Sequence, residues 1–132
     1  MRYLCDSDLL IDFLDELNAA VSIIAPLLDE GLGVSLIAVG EVYDGVLGGR
    51  DPVQAERRFL AVLERTSLVG LDLPTMRIFA ELRRHLRVNG KETGDNDLMI
   101  AATALRHHLT LVTRNRRHFD RVPGLRLYEA KP

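Results

Sequence analysis

Short apolar runs alternate along the chain with longer stretches in which apolar residues recur every three or four positions, the pattern of strands feeding amphipathic helices. Arg2 to Cys5 predicts a first strand, stopped by Asp6-Ser7-Asp8, residues suited to cap the helix that follows. Leu10, Phe13, Leu17, Val21, Ile24 and Leu28 then mark a helical stripe, divided into two helices by Asn18 and Pro26. Val34 to Leu36 predicts a second strand, leading to a helix from about Ala38 that Gly45, Gly48 and Gly49 terminate. Asp51-Pro52 opens another helix, with Asp51 as N-cap, Pro52 at its first position and Gln54 three residues after the cap. Ser67 to Leu71 predicts a third strand, and Pro74 starts a helix with a buried stripe of Phe79, Leu82 and Leu86, closed by Asn89-Gly90. Thr93 or Asp95 is expected to cap the next helix. Its face of Leu98, Ala101, Ala102 and Leu105 is widened by Met99 and Ile100 enough to imply deep burial. Leu109 to Val112 predicts a fourth strand and Leu125 to Tyr128 a short fifth one at the edge.

Strands alternating with helices predict an α/β fold, a parallel sheet of four to five strands covered on both faces. At 132 residues the chain is expected to be one domain, 1–132, with no internal repeat or linker. A hydrophobic share of 47% and a charged share of 27% are those of an ordinary globule. The apolar stretch from Leu9 to Leu14 is broken by Asp12, and no run approaches the ~20 residues of a membrane span, so a cytoplasmic protein with no membrane role is expected. The single Cys5 has no internal disulfide partner, in keeping with a reducing compartment, and reads as a small core residue.

A net charge of −2 argues against a strongly basic nucleic-acid binder but not against a nuclease, because local distribution decides. Two stretches are basic: Arg83, Arg84, Arg87 and Lys91, and then Arg114, Arg116, Arg117, Arg121 and Arg126. The second follows a strand end and is the stronger candidate for contacting phosphates.

Four positions hold the candidate chemistry. Asp6, Glu41, Asp97 and Asn115 each fall where an apolar run gives way to a helix or loop. In an open parallel sheet the carboxyl ends of the strands face one crevice, so these residues are expected to converge there. Carboxylates gathered in one crevice repel each other unless a cation sits among them, and oxygen-only ligands suit Mg²⁺ or Mn²⁺. The reading is a metal-dependent hydrolase acting on phosphate esters. Glu41 is placed in the first turn of its helix and Asp97 in the first turn of the most apolar one, with the neighbouring Asp95 as a cap. Asp8 complements a helix dipole and is within reach of the same crevice, whereas Asp12, one turn on, should point away. Asp120 is a weaker alternative to Asn115, and Glu81 is balanced between a solvated helix acid and a peripheral site role. The four histidines do not pair at zinc-binding spacings, and neither a Walker-type phosphate loop nor a serine-centred nucleophile elbow is present.

With these residues in place, the segments Met1 to Asp12, Ser35 to Gly45, Asp95 to Leu105 and Leu111 to Phe119, backed by Val122-Pro-Gly-Leu125, resemble the successive motifs of PIN-domain ribonucleases. The resemblance is to the VapC toxin branch of VapBC toxin–antitoxin modules and covers essentially the whole chain. It implies a three-layer α/β/α sandwich, Mg²⁺- or Mn²⁺-dependent endonucleolytic cutting of RNA at tRNA or rRNA sites, a homodimer, and neutralisation by a cognate VapB-type antitoxin. The family's three acids match Asp6, Glu41 and Asp97, which would hold the metal. Its fourth position, often aspartate, is Asn115 here, which removes one negative charge, and Thr113 matches the hydroxyl beside it. Arg114, Arg116 and Arg117 would contact RNA phosphates. The helical stripe from Phe13 to Leu28 offers a surface for a second copy or an antitoxin helix, if it is not core.

Three rivals are weighed on the sequence, the first two disfavoured by their context. Asp6-Ser7-Asp8 with Gly94-Asp95-Asn96-Asp97 mimics a haloacid-dehalogenase phosphatase, although no strand is predicted before the second motif. A receiver-like signalling domain would use Asp72 as phosphoacceptor but lacks the lysine it needs after the last main strand. A PIN-like binding domain weakened in catalysis is compatible with Asn115.

Overall fold

The computed structural model describes residues 1–90 and 93–129. Four strands form one parallel sheet in the order β3-β2-β1-β4: β1 Tyr3–Cys5, β2 Leu32–Ser35, β3 Ser67–Val69 and β4 Thr110–Val112. Tyr3 faces Leu32 on one side and Thr110 on the other, and Gly33 faces Ser67. The strands are short, and helices cover the central ones: every residue of β2 is buried, whereas at the edge strand β3 only Val69 is. Strand order reverses direction at β1, which places a switch-point crevice beyond the carboxyl ends of β1 and β4.

Helices α1 (Ser7–Leu14) and α2 (Asn18–Leu28) connect β1 to β2, and α3 (Leu36–Leu47) and α4 (Pro52–Leu63) connect β2 to β3. Helices α5 (Leu73–Val88) and α6 (Asp95–Arg106) lead to β4, and the single-turn α7 (Arg116–Phe119) follows it. Helix α6 is the most enclosed, burying Leu98, Ile100, Ala101, Ala102, Thr103 and Ala104. Its three alanines and threonine keep the side chains small, so the helix lies close to both α5 and α3. Among the described residues no helix is long and apolar enough to cross a membrane.

Several expectations are corrected. The fifth strand is reduced to an isolated bridge between Leu111 and Leu127. Pro26 lies inside α2 without ending it; the break between α1 and α2 comes at residues 15–17, where Glu16 has a positive φ of 60°. Helix α3 starts at Leu36 rather than about Ala38, because the Ser35 hydroxyl caps it by accepting from the Ala38 N–H, and it runs through Gly45 to Leu47. That puts Glu41 in the second turn, not the first. The N-cap of α6 is Gly94, with no side-chain cap, so neither Thr93 nor Asp95 caps it. The stripe from Leu10 to Leu28 is largely core, with Leu10, Ile24 and Leu28 buried; only Leu17, 47% exposed, faces outward among its large residues. Lys91 lies outside the described residues.

Candidate active site

Asp6 is the N-cap of α1, placed directly after β1. Its backbone N–H donates to the Val112 carbonyl at 3.1 Å, tying the end of β1 to the end of β4. Its side chain accepts from the Leu9 N–H at 3.0 Å and from the Thr113 hydroxyl. The residue is only 4% exposed. Burial, which disfavours the charged form, pushes its carboxyl up to about 6, against the two hydrogen bonds that favour ionisation; the negative charges of Asp8 and Asp97 push it further up.

Asp97, in the first turn of α6, is raised chiefly by burial and secondarily by Asp8, while His118 opposes the shift. Asp6, Asp8 and Asp97, spread over ninety residues of sequence, therefore share one crevice. Glu41 joins it through the Ser7 hydroxyl, which donates to Glu41 Oε1 at 2.9 Å. Ser7, Asp8, Glu41 and Asn96 line the same hollow.

The segment after β4 closes the other side. Thr113, buried beside Asp6, accepts from the Asn115 backbone N–H at 2.9 Å. The Asn115 side chain does not cap α7; it donates to Asp8 Oδ2 at 2.6 Å. His118 Nδ1 lies 3.0 Å from Asp97 Oδ2. Arg114 reaches Asp12 Oδ2 at 3.4 Å, so Asp12 does not point away from the crevice but stands at its rim with Asp8, Arg114 and Asn115.

Other candidates lie elsewhere. Asp95 pairs with Arg83 at 3.0 Å in a hollow lined by Leu86, Arg87, Thr93 and Leu98. Arg116 turns toward the chain's last described stretch, meeting the Tyr128 carbonyl at 3.3 Å and Glu129 at 3.6 Å. Arg117 and Asp120 are exposed, Asp120 at the C-cap of α7. Glu81 pairs with Arg77 one helical turn away. Cys5 is fully buried and burial pushes its thiol well up, which makes it a poor nucleophile.

Both rival chemistries lose their geometry. The Gly94 to Asp97 segment opens a helix rather than following a strand, as a phosphatase second motif would have to. Asp72 caps α5, accepting from the Thr75 N–H at 2.9 Å and hydroxyl at 2.5 Å and pairing with Arg106 at 3.2 Å. Thr75, above all, holds its carboxyl below the usual range.

Ser7 and His118 are the site neighbours that the sequence did not bring forward. Ser7 adjoins Asp6, a detectable signal. His118 is reachable only once α6 and α7 are known to pack side by side.

Hard oxygen donors dominate the crevice, and the carboxylates of Asp8 and Asp97 add to the burial that raises Asp6. That donor chemistry fits a divalent cation. Each carboxylate is meanwhile held in its own hydrogen bond, and among the described residues no three His, Cys, Asp or Glu side chains are already grouped to grip one ion.

Residues 3–125 match the family model described as PIN domain. Ribonuclease VapC2 of Rickettsia felis is 31% identical over 94 residues, covering 71% of this chain and 70% of its own. The tRNA(fMet)-specific endonuclease VapC of Shigella flexneri is 35% identical over 82 residues, covering 59% of this chain and 62% of its own. Among solved structures, VapBC2 from Rickettsia felis bound to a DNA fragment from their promoter matches with a TM-score of 0.89 at 25% identity, over 99% of this chain and 100% of that one.

Proposed function

The chain belongs to the PIN-domain family, among its VapC ribonuclease toxins, and on that premise we propose that it hydrolyses tRNA or rRNA endonucleolytically with Mg²⁺ or Mn²⁺ at the crevice between β1 and β4. One observation carries the reading: the stretch from Thr113 to His118 hydrogen-bonds Asp6, Asp8 and Asp97 in turn, so carboxylates from distant parts of the chain border one segment, where their charges oppose one another. Capping α1 accounts for Asp6 by itself but not for two further carboxylates gathered beside it, whereas a ligand of opposite charge accounts for all three.

Asp6, Asp97 and Glu41 would hold the cation, with Thr113, Asn115, Asp8 and Ser7 fixing their neighbours. A bound divalent ion supplies electrophilic polarisation of the phosphate and lowers the pKa of the attacking water. The protein's own part is orientation: Thr113 sets the rotamer of Asp6, and Ser7 that of Glu41. Arg114 is the best placed of the three arginines to take a phosphate. Its pair with Asp12 is half exposed and worth at most ~1 kcal/mol, so exchanging a carboxylate partner for an RNA phosphate is inexpensive. Arg117 would assist from α7, and Arg116 only after leaving Tyr128 and Glu129. Asp95, tied to Arg83, would act at most by supporting the start of α6.

The tRNA choice is supported by the name of the Shigella flexneri relative. A cognate VapB-type antitoxin is supported by the VapBC2 complex, and a homodimer by the family resemblance alone. A single domain spanning 1–132 and a cytoplasmic location complete the proposal. Incubating purified, antitoxin-free protein with total RNA, with Mg²⁺ or Mn²⁺ and then EDTA, and mapping the cut ends tests it. Defined ends that vanish with EDTA and with Asp97→Asn are expected. RNA left intact by wild-type protein in both metals would leave a binding domain weakened in catalysis.

A further inference from the structure

Every acid in the crevice has a hydrogen-bond partner, and three of those partners come from one stretch of six residues: Thr113 to Asp6, Asn115 to Asp8, His118 to Asp97. The first two follow from residues the sequence already marked. The third does not. Among the described residues, His118 is the only hydrogen-bond partner of the Asp97 side chain, whereas Asp6 has two. Asp97 stands in the first turn of α6, whose N-cap glycine provides no side-chain cap, and among the described residues its carboxylate makes no hydrogen bond within its own helix.

The ring of His118 is delivered by a firmly seated turn. Phe119, next to it, is 1% exposed and anchors α7 in the core. The His118 N–H donates to the Asn115 carbonyl at 3.0 Å, and the Asp120 N–H to that of Arg116 at 2.8 Å. The ring itself is 57% exposed, so packing does not explain its orientation; the contact with Asp97, itself 27% exposed, does. Against an ionised Asp97, which only accepts, His118 Nδ1 is the donor; this contact holds Oδ2 toward α7, and Oδ1 makes no hydrogen bond among the described residues.

We infer that His118 is a positioning residue: it acts through Asp97, presenting the free carboxylate oxygen to the divalent ion. The inference rests on the metal-site reading above. Hydrogen bonds to ligating carboxylates typically change metal affinity by roughly 10- to 100-fold when removed.

The test measures binding of Mn²⁺ alone, by calorimetry and electron paramagnetic resonance, to antitoxin-free wild type, His118→Phe, His118→Asn and Asp97→Asn, together with thermal unfolding of the metal-free proteins. Phe keeps the ring without the donor; Asn places an N–H at the same bond distance from the backbone as Nδ1. The expected result is a loss of about tenfold or more in Mn²⁺ affinity for His118→Phe, recovered by His118→Asn, with unfolding temperatures unchanged. Cleavage by His118→Phe should approach wild type at saturating Mn²⁺ with KM for RNA unaltered. Affinity of His118→Phe within twofold of wild type overturns the inference, as does a raised KM for RNA with metal binding intact, which would make His118 an RNA contact. Loss in both variants with lowered unfolding temperature would make it structural instead. Equal Mn²⁺ binding by wild type and Asp97→Asn overturns the metal-site reading itself, and with it the inference.

Discussion

The side-chain amide of Asn115 donates to Asp8 Oδ2 at 2.6 Å, joining the loop after β4 to the first turn of α1 across 107 positions of sequence. The amide nitrogen must face Asp8, since a carboxylate offers no hydrogen to the amide oxygen. Asn115 therefore supports an acid and, in this structure, does not add to the acid set. Asn115→Asp would replace that bond with a like-charge contact, worth about 1 kcal/mol for unit charges 4 Å apart in water. The metal-free variant is expected to unfold earlier, by an amount that shrinks with salt, and to bind Mn²⁺ more tightly than wild type. Calorimetry with and without Mn²⁺ checks both signs.

Asp6 makes stability depend on pH in a defined direction. Its carboxyl titrates at about 6 in the folded protein, above the unfolded value near 3.8, so the folded state holds the proton more tightly. Its contribution is fully present below pH 4 and is lost as pH rises through 6, a cost of roughly 2–3 kcal/mol at neutrality. Asp6→Asn should remove that slope, unfolding at a higher temperature than wild type at pH 7 and no higher at pH 4, while cleaving no RNA. Parallel pH series of thermal unfolding, with metal chelated, test the direction. Retained cutting by the pure variant would remove Asp6 from the cation-holding group.

Thr113 serves two partners at once, donating to Asp6 and accepting from the Asn115 N–H. Thr113→Val preserves shape and removes both bonds, leaving a buried carboxylate and an amide short of a partner at ~1–3 kcal/mol. Because the lost bond is one that lowers the Asp6 pKa, the penalty should be larger at pH 8 than at pH 5. Thr113→Ser should restore most of it in urea denaturation at the two pH values.

Arg114 and Arg116 should differ although they stand two residues apart. Arg114→Ala is expected to raise KM for RNA with kcat nearly intact and to reduce the slope of log affinity against log salt by about 0.7, the release expected for one phosphate contact on a single strand. Arg116→Ala should change the slope less, since its guanidinium is engaged by Tyr128 and Glu129. Equal slopes for both variants would contradict the division of labour.

Periodicity alone determined the alternation of strands and helices, the deep burial of α6 and the caps at Asp51 and Asn89, because burial and capping are local consequences of residue order. It also marked Asp6, Glu41, Asp97 and Asn115 as strand-end or helix-start residues, which in a parallel sheet implies one crevice. What it misjudged was marginal in energy. Leu125 to Tyr128 has strand-like composition, yet only Leu127 forms a bridge with Leu111. Asp95 looks like a cap, but Arg83 takes its carboxylate, and one hydroxyl at Ser35 moved the start of α3 by about two residues.

Which acid meets which partner was decided only in three dimensions. Asp12 paired with Arg114, Asn115 with Asp8 and His118 with Asp97 are contacts between segments 21 to 107 residues apart, created by β4 inserting beside β1 and by α7 folding back onto α6. Local patterning reports only whether a side chain faces the core or the water. The direction in which a polar side chain finally points depends on the donors that non-local strand pairing brings within 3 Å, and that requires the assembled sheet.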